Sequence, residues 1–230
     1  MSRFSLKKLA VCFAGDSHLS RDQQHLIDLL EDLSEHVRVH RLHCGGMSLE
    51  RVASRHSLRT VHFNVPKVPV SLLDRSTSLP KVAYLDEPDW GHAVFFPESA
   101  GHHIYTDDLN NCAVLALYLK GLNEERWYLL CHLYDDKAYN QRTQSCLVEG
   151  QVKKITEHLK ERGFRGIYGM LSPRDDTFTR ASEKILRDYL GASNLELLMR
   201  YGPSKARVLV TSSGWAMYDN HRPRHLVRLV

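Results

Sequence analysis

Two amphipathic helical patterns set among short apolar runs occupy the second half of the chain, and this order constrains the fold more than any other feature. Leu147 to Arg162 and Phe178 to Leu190 each place apolar side chains along one helical stripe, and Gly163 and Gly191 follow as helix stops. The apolar runs around these helices have the length of strands. Interleaved strands and helices predict an α/β or α+β sandwich, in which helices flank mixed or mostly antiparallel sheets.

The short apolar runs of this half predict its strands. They cover His102 to Thr106, Trp127 to Leu133, Gly166 to Leu171, Leu195 to Arg200 and Lys205 to Thr211, with a further strand near Leu226. Ala113 to Leu119 is a continuous apolar element, and the segment after it, Leu122 to Glu125, is typical of an enlarged hairpin turn.

The first half of the chain carries weaker signals. Leu9 to Ala14 predicts a buried strand, and an amphipathic helix with leucines on one face follows between Leu26 and Leu33. Val37 to Leu42 alternates like a strand. From Cys44 to Ala100, prolines interrupt the apolar runs, and this stretch is the least predictable part of the chain.

Size and composition indicate an ordinary globular protein. The 230 residues can bury a substantial core, and 25% charged with 43% hydrophobic residues is a typical globular composition. We expect one domain over residues 1–230. The net charge of +4 comes mostly from scattered residues, which favours a solvated surface over a nucleic-acid partner.

The cysteines and the hydropathy pattern bear on the compartment. The five cysteines are odd in number and lie mostly in apolar runs, which favours reduced thiols over a disulfide framework. No apolar run approaches the roughly 20 residues that span a bilayer, so we expect no membrane span. The chain is therefore expected to fold in the cytoplasm. Delivery into a host cell by a dedicated secretion machine would leave no recognisable mark in the sequence.

Cys112 and His132 are the candidate catalytic pair. A thiol nucleophile needs a favoured thiolate, a base within hydrogen-bond reach and backbone donors for an oxyanion. Cys112 follows the polar turn Asp107 to Asn111 and opens an apolar element. If that element starts as a helix, its free N–H groups favour both the thiolate and the oxyanion. The plainer alternative is that Cys112 and His132 are both core residues.

The segment Thr106 to Cys112 reads T-D-D-L-N-N-C and resembles the T-x-x-L-x-x-C motif of the Cys-His glutamine deamidase superfamily. That superfamily includes the chemoreceptor deamidase CheD, the Burkholderia lethal factor and the catalytic domain of cytotoxic necrotizing factor. A histidine on the following strand completes the motif, and His132 occupies that place here. The resemblance implies that Cys112 is the nucleophile, that His132 is its base and that Thr106 supports the histidine. The order of elements after the histidine also resembles that of the chemoreceptor deamidase. The resemblance covers roughly residues 100–220 and implies that they form the catalytic core, with residues 1–95 as an N-terminal extension of unassigned role.

By this resemblance the chain is a protein-glutamine deamidase acting on a folded protein. The thiolate attacks the carboxamide of a glutamine, ammonia leaves, and water hydrolyses the thioester. An amine in place of water would give transglutamination. The resemblance implies no cofactor and no metal. The N-terminal region and the Asn-Asn turn favour a toxin- or effector-like virulence enzyme over a chemotaxis component.

The turn before the cysteine departs from the chemoreceptor enzymes. They usually carry L-G-S-C, whereas this chain has Leu109, Asn110, Asn111 and Cys112. Asparagine tolerates the left-handed backbone that glycine adopts freely, so the turn is still expected. Leu109, Asn110 and Asn111 are the candidate oxyanion and pocket residues.

Two other functions stay open. The segment Ala14 to Ser17 resembles the serine block of SGNH-type esterases, with Ser17 as nucleophile. That family also needs a G-x-N-D block, which the chain lacks, and a D-x-x-H block, whose spacing Asp219 and His221 do not match. A helix cap at Asp16 or Ser17 is the simpler reading. The second alternative is a non-catalytic relative that keeps the fold for protein binding.

A metal site is the weakest candidate. His40, His43 and Cys44 are close together in the sequence. If residues 37 to 42 form a strand, residues 40 and 43 would lie on its opposite faces and could not share an ion. We therefore expect no metal ligands.

Overall fold

The structure is a computed structural model of the whole chain. It describes residues 12–13, 19–43, 62–64, 82–85, 92–110, 112–133, 144–174, 180–201 and 205–230. Within these residues, twelve strands form two six-stranded sheets, and three α-helices pack against them. The predicted α/β sandwich with mixed and antiparallel sheets is confirmed.

The first sheet collects strands from both ends of the chain. Its members are β1 (Cys12–Phe13), β3 (Val82–Leu85), β5 (His103–Thr106), β10 (Ala206–Thr211), β11 (Gly214–Asp219) and β12 (Arg224–Leu229). Their order is β1-β12-β11-β10-β5-β3, and every pairing is antiparallel except that of β3 with β5.

The second sheet is built around a central hairpin. Its members are β2 (His62–Asn64), β4 (His92–Pro97), β6 (Ala113–Lys120), β7 (Arg126–Leu133), β8 (Arg165–Ser172) and β9 (Leu195–Leu197). The order is β2-β4-β7-β6-β8-β9, with parallel pairs only at the two edges. The β6–β7 turn includes Leu122 to Glu125, as the sequence predicts.

Alternation along β6 divides the core of the second sheet into two layers. Even-numbered residues such as Val114 and Ala116 join Val208 and Met217 of the first sheet in one apolar layer between the sheets. Odd-numbered residues such as Leu115 face the helices on the other side. Because side chains of a strand point alternately to the two faces, this parity decides which residues can meet between the sheets.

The helices cover the outer faces. α1 (Arg21–His43) buries Leu26, Leu29, Leu30 and Leu33 against the first sheet, the face that the sequence predicts. α2 (Gln144–Glu161) and α3 (Arg180–Leu190) pack against the second sheet. No helix in the described part of the chain is long and apolar enough to cross a membrane.

Ser20 caps α1 through a reciprocal pair of hydrogen bonds. The Gln23 backbone N–H donates to Ser20 Oγ at 3.2 Å, and the Ser20 backbone N–H donates to Gln23 Oε1 at 2.9 Å. This is a capping box, in which two otherwise unsatisfied N–H groups find acceptors. The predicted cap at Asp16 or Ser17 is therefore wrong, because the helix begins further along the chain.

Two other predictions are corrected. The predicted strand Val37 to Leu42 is wrong, because α1 continues through His43. No glycine or proline stands between Gly15 and Gly45 to end the helix. Because His40 and His43 are on a helix, they are not placed on opposite faces of a strand, and this reason against a metal site no longer applies. Their side chains and Cys44 lie outside the described residues.

The apolar element after Cys112 does not meet the condition for a helix N-terminus at the thiol. Ala113–Lys120 is a strand from its first residue and does not start as a helix. β6 is hydrogen-bonded to β7 on one side and to β8 on the other, and both of its faces are buried. Pairing on two sides overrides the helical preference of its alanine and leucine residues. A helix N-terminus therefore cannot stabilise the thiolate of Cys112.

Candidate active site

Thr106 and His132 meet between the two sheets. Thr106 is the last residue of β5 in the first sheet, and His132 is the next-to-last residue of β7 in the second. Both are fully buried, and Thr106 Oγ1 lies 3.2 Å from His132 Nδ1. The contact joins side chains that are 26 residues apart in the sequence.

The hydrogen-bond partners of Thr106 fix the proton on the imidazole. Thr106 Oγ1 donates its single hydrogen to the Leu85 carbonyl oxygen at 2.8 Å. Toward His132 the hydroxyl oxygen can then act only as an acceptor, so Nδ1 carries the hydrogen and donates it. In the neutral imidazole Nε2 is consequently the unprotonated nitrogen. It is the nitrogen that can accept a proton.

Burial keeps His132 neutral at physiological pH. Removal from water lowers the pKa of His132 to about 3, and repulsion from the Arg200 guanidinium adds to the effect. The carboxylate of Asp108 acts in the opposite direction. His132 Nε2 is buried and has no hydrogen-bond partner among the described residues. The structure therefore holds a neutral, unoccupied base between the sheets.

Cys112 lies on the same face of the second sheet as His132. Val114 and His132 are paired across β6 and β7, and Cys112 precedes Val114 by two residues. Cys112 belongs to the apolar layer between the sheets and is 5% exposed. Within an antiparallel pair, residues related in this diagonal way lie ~7–8 Å apart. Cys112 directly precedes the first residue of β6. No hydrogen bond joins the Cys112 sulfur to His132 Nε2 in this conformation.

Cys131 provides a contrast within the same hairpin. It is fully buried in the layer that faces the helices. Burial strongly raises the pKa of the Cys131 thiol. Cys112 and Cys131 are both thiols without a disulfide, but only Cys112 shares a face with His132.

The turn before Cys112 differs from the sequence prediction. Among the described residues of this turn, the left-handed one is Asp108, with φ 53°, and Asp108 also forms a salt bridge to Lys205 at 3.1 Å. Leu109 is fully buried, and its backbone N–H donates to the Ala206 carbonyl at 3.1 Å. Leu109 therefore packs in the core and has no N–H to offer an oxyanion.

An oxyanion-binding role for the two asparagines of this turn stays a prediction. Asn110 is exposed, and its backbone N–H donates to the Asp108 carbonyl at 2.6 Å. Its side-chain amide is the group left for a ligand. Asn111 lies outside the described residues, so its role stays a prediction.

Arg200 is the residue of this site that the sequence does not reveal. It is 1% exposed and donates from its two terminal guanidinium nitrogens to the carbonyl oxygens of Leu109 and Cys112. The only local signal is a charged residue directly after the apolar run Leu197 to Met199. Arg200 fastens the start of β6 to the end of the segment that follows β9.

The residues of the competing hypotheses are only partly described. Ser17 lies outside the described residues. Asp219 Oδ1 accepts the backbone N–H of His221 at 2.9 Å, which makes Asp219 part of a turn. Among the described residues no three histidine, cysteine or acidic side chains come together in a way that could hold a metal ion.

Comparison with known proteins gives little help. No model of a known protein family matches the chain, and no curated protein matches it. Among solved structures, the C-terminal domain of CNFy from Yersinia pseudotuberculosis is similar to 55% of this chain, with 8% identity and a TM-score of 0.30. The match covers 53% of that domain, about half of its length. This likeness is weak, so the residues of the site have to be judged from their own geometry.

Proposed function

We propose that this chain is a cysteine-dependent amidohydrolase that converts a glutamine side chain of a protein into glutamate, with Cys112 as nucleophile and His132 as base. The observation that carries the proposal is the Thr106–His132 hydrogen bond, because it leaves Nε2 as an unprotonated base on the face that Cys112 shares. The segment from Thr106 to Cys112 resembles the T-x-x-L-x-x-C motif, and this resemblance suggests the reaction class.

The first half of the proposed reaction forms a thioester. The Cys112 sulfur bonds to the carboxamide carbon of the glutamine, and the thiol proton passes to His132 Nε2. The imidazolium gives this proton to the departing nitrogen as the carbon–nitrogen bond breaks, and ammonia leaves. Because burial disfavours the imidazolium, it exists only while the negative oxyanion compensates its charge.

The second half restores the enzyme. Water attacks the thioester carbon and gives a proton to His132 Nε2, and that proton returns to sulfur as the carbon–sulfur bond breaks. The products are glutamate and the Cys112 thiol. A primary amine in place of water would form a substituted amide, which is transglutamination.

The placement of Cys112 and His132 in the layer between the sheets fits this chemistry. A diagonal separation of ~7–8 Å across a strand pair can close to hydrogen-bond distance when the two side chains rotate toward each other. Catalytic hydrogen bonds are often long before substrate binds and tighten in the complex. His132 Nε2 has no competing partner among the described residues that would have to be displaced.

The proposed substrate is a folded protein that presents one glutamine at its surface. Cys112 is only 5% exposed, so a slender side chain reaches its sulfur more easily than a backbone segment. The same proposal includes a toxin- or effector-like role. It also includes folding in the cytoplasm before any delivery into a host cell.

The test uses the proteins of a cell lysate as substrates. Mass spectrometry of the lysate after incubation should find glutamine converted to glutamate at specific positions. Cys131→Ala is the matched control, because this cysteine lies in the same hairpin on the opposite face. We expect conversion with the wild type and with Cys131→Ala, none with Cys112→Ser, and a strong reduction with His132→Gln. Conversion that persists with Cys112→Ser contradicts the proposal, as does its absence with the wild type.

A further inference from the structure

Arg200 is a buried cation at the start of β6. Its two terminal nitrogens donate to the carbonyl oxygens of Leu109 and Cys112, and its own backbone N–H donates to the Pro173 carbonyl at 3.0 Å. Both the side chain and the backbone of Arg200 are therefore held by hydrogen bonds. It reaches 88 residues back along the chain to contact the backbone of the proposed nucleophile.

The charge of this guanidinium is not neutralised by a salt bridge. Among the described residues, no carboxylate forms an ion pair with Arg200, and its Nε–H has no hydrogen-bond partner. Burial lowers the pKa of Arg200 to about 10, while attraction from Cys112 and then from Asp219 raises it. Arg200 is thus still protonated at neutral pH. A buried cation of this kind stabilises an anion that forms beside it.

The thiolate of Cys112 is the anion in question. β6 is a strand, so the element that follows Cys112 provides no helix N-terminus for the sulfur. His132 cannot act as a resident cation, because burial keeps it neutral. Among the charged groups described at this site, Arg200 is the cation that contacts the Cys112 backbone directly. The same charge disfavours a proton on His132 and thereby keeps Nε2 available as a base.

We propose that Arg200 is the positioning residue of the site: it holds residues 109–112 in place by its two carbonyl contacts, and its positive charge favours the thiolate form of Cys112. The catalytic consequence rests on the proposed function. The effect on the thiol does not, because thiolate formation can be measured without any substrate.

The experiment follows alkylation of Cys112 by iodoacetamide against pH, with the modified peptide quantified by mass spectrometry. In the wild type we expect the midpoint of the pH profile to lie below about 8.5, the value of an unperturbed thiol. Arg200→Met should move the midpoint upward by about one unit or more, a tenfold loss of thiolate at neutral pH. Arg200→Lys, which keeps the charge, should restore much of this loss.

Arg207→Met is the matched control. Arg207 is paired with Glu31 on α1, so its charge lies on the outer side of the first sheet, away from the layer that contains Cys112. Its loss should leave the profile unchanged. Circular dichroism of each variant separates a local effect from unfolding. If Arg200→Met does not fold, the proposal is still tested by the midpoints of Cys112 alkylation in the wild type and in Arg200→Lys.

The proposal for Arg200 is overturned by a wild-type midpoint at or above that of an unperturbed thiol. It is also overturned if folded Arg200→Met has the wild-type profile. A clear shift without any conversion of glutamine would instead support the role of Arg200 and contradict the proposed function. The two failures are therefore distinguishable.

Discussion

Thr106 and His132 are joined by a hydrogen bond in which the threonine hydroxyl is the acceptor, because its only hydrogen is donated to the Leu85 carbonyl. One contact therefore links the two sheets and selects the imidazole tautomer. In a protein that uses Nε2 as a base, the hydroxyl of Thr106 acts through His132 and need not touch the substrate.

Removal of this hydroxyl should slow the reaction without unfolding the protein. Thr106→Val keeps the shape of the side chain but leaves His132 Nδ1–H without an acceptor. A net loss of about 1–1.5 kcal/mol for one hydrogen bond corresponds to a roughly tenfold lower kcat for glutamine conversion. Thr106→Ser, which keeps the hydroxyl, should stay close to the wild type. Equal rates for the two variants would show that the tautomer is fixed in another way.

The neutral state of His132 predicts acid sensitivity. Its folded-state pKa of about 3 lies below the ordinary value of 6.5, so between these pH values the unfolded chain binds a proton that the folded chain does not. Stability from this residue is fully present above pH 6.5 and is lost as the pH falls toward 3. At a pH two units below the ordinary value the loss is on the order of 2–3 kcal/mol.

Urea denaturation of the wild type and of His132→Gln at both ends of this range measures the effect. The two proteins differ only at this residue, so the difference between their pH dependences belongs to His132. The wild type should lose more stability on acidification than His132→Gln. Parallel losses would mean that His132 is already charged in the folded protein.

The sequence predicts the periodic parts of the fold and misses the parts set by distant contacts. α2 and α3 follow from apolar stripes that end at Gly163 and Gly191, both of which have left-handed backbone. β11 (Gly214–Asp219) was not predicted, because its apolar run is only four residues long and its structure depends on pairing with strands on both sides. Local pattern cannot supply that information.

The site shows the same division. The offset between Thr106 and Cys112 is visible in the sequence, and so is a histidine on the next strand. The contacts of Arg200 with Leu109 and Cys112 span 91 and 88 residues, so no motif could reveal them. The partner of the Leu109 backbone N–H is equally distant, since it donates to the carbonyl of Ala206 on a strand of the first sheet.

A partly buried ion pair joins the two sheets at a point away from the proposed chemistry. Glu196 of β9 accepts a hydrogen bond from Arg228 of β12 at 2.9 Å and another from the hydroxyl of Tyr168. The Glu196 and Arg228 side chains are 12% and 15% exposed. Removal of one partner leaves the other charge nearly buried, so Glu196→Gln should lower the free energy of unfolding by about 2–3 kcal/mol.

Glu124→Gln is the control for this prediction. Glu124 pairs with Lys120 and Arg165, but its side chain is 59% exposed, and exposed pairs contribute little to stability because water and salt screen them. Urea denaturation of both variants compares the two environments, and alkylation of Cys112 should be unchanged in each. A loss in Glu196→Gln as small as that in Glu124→Gln would show that the pair does not hold the sheets together.

The claim that Cys112 and His132 act together is tested most directly by a reagent that must reach both. The Cys112 sulfur first displaces one bromide of 1,3-dibromoacetone. The other bromomethyl carbon of the tethered reagent can then be attacked only by a nucleophile close by. The account predicts that mass spectrometry of the digested protein finds the peptides of Cys112 and His132 joined through sulfur and Nε2. Alkylation of Cys112 with no bridge to His132 would contradict it.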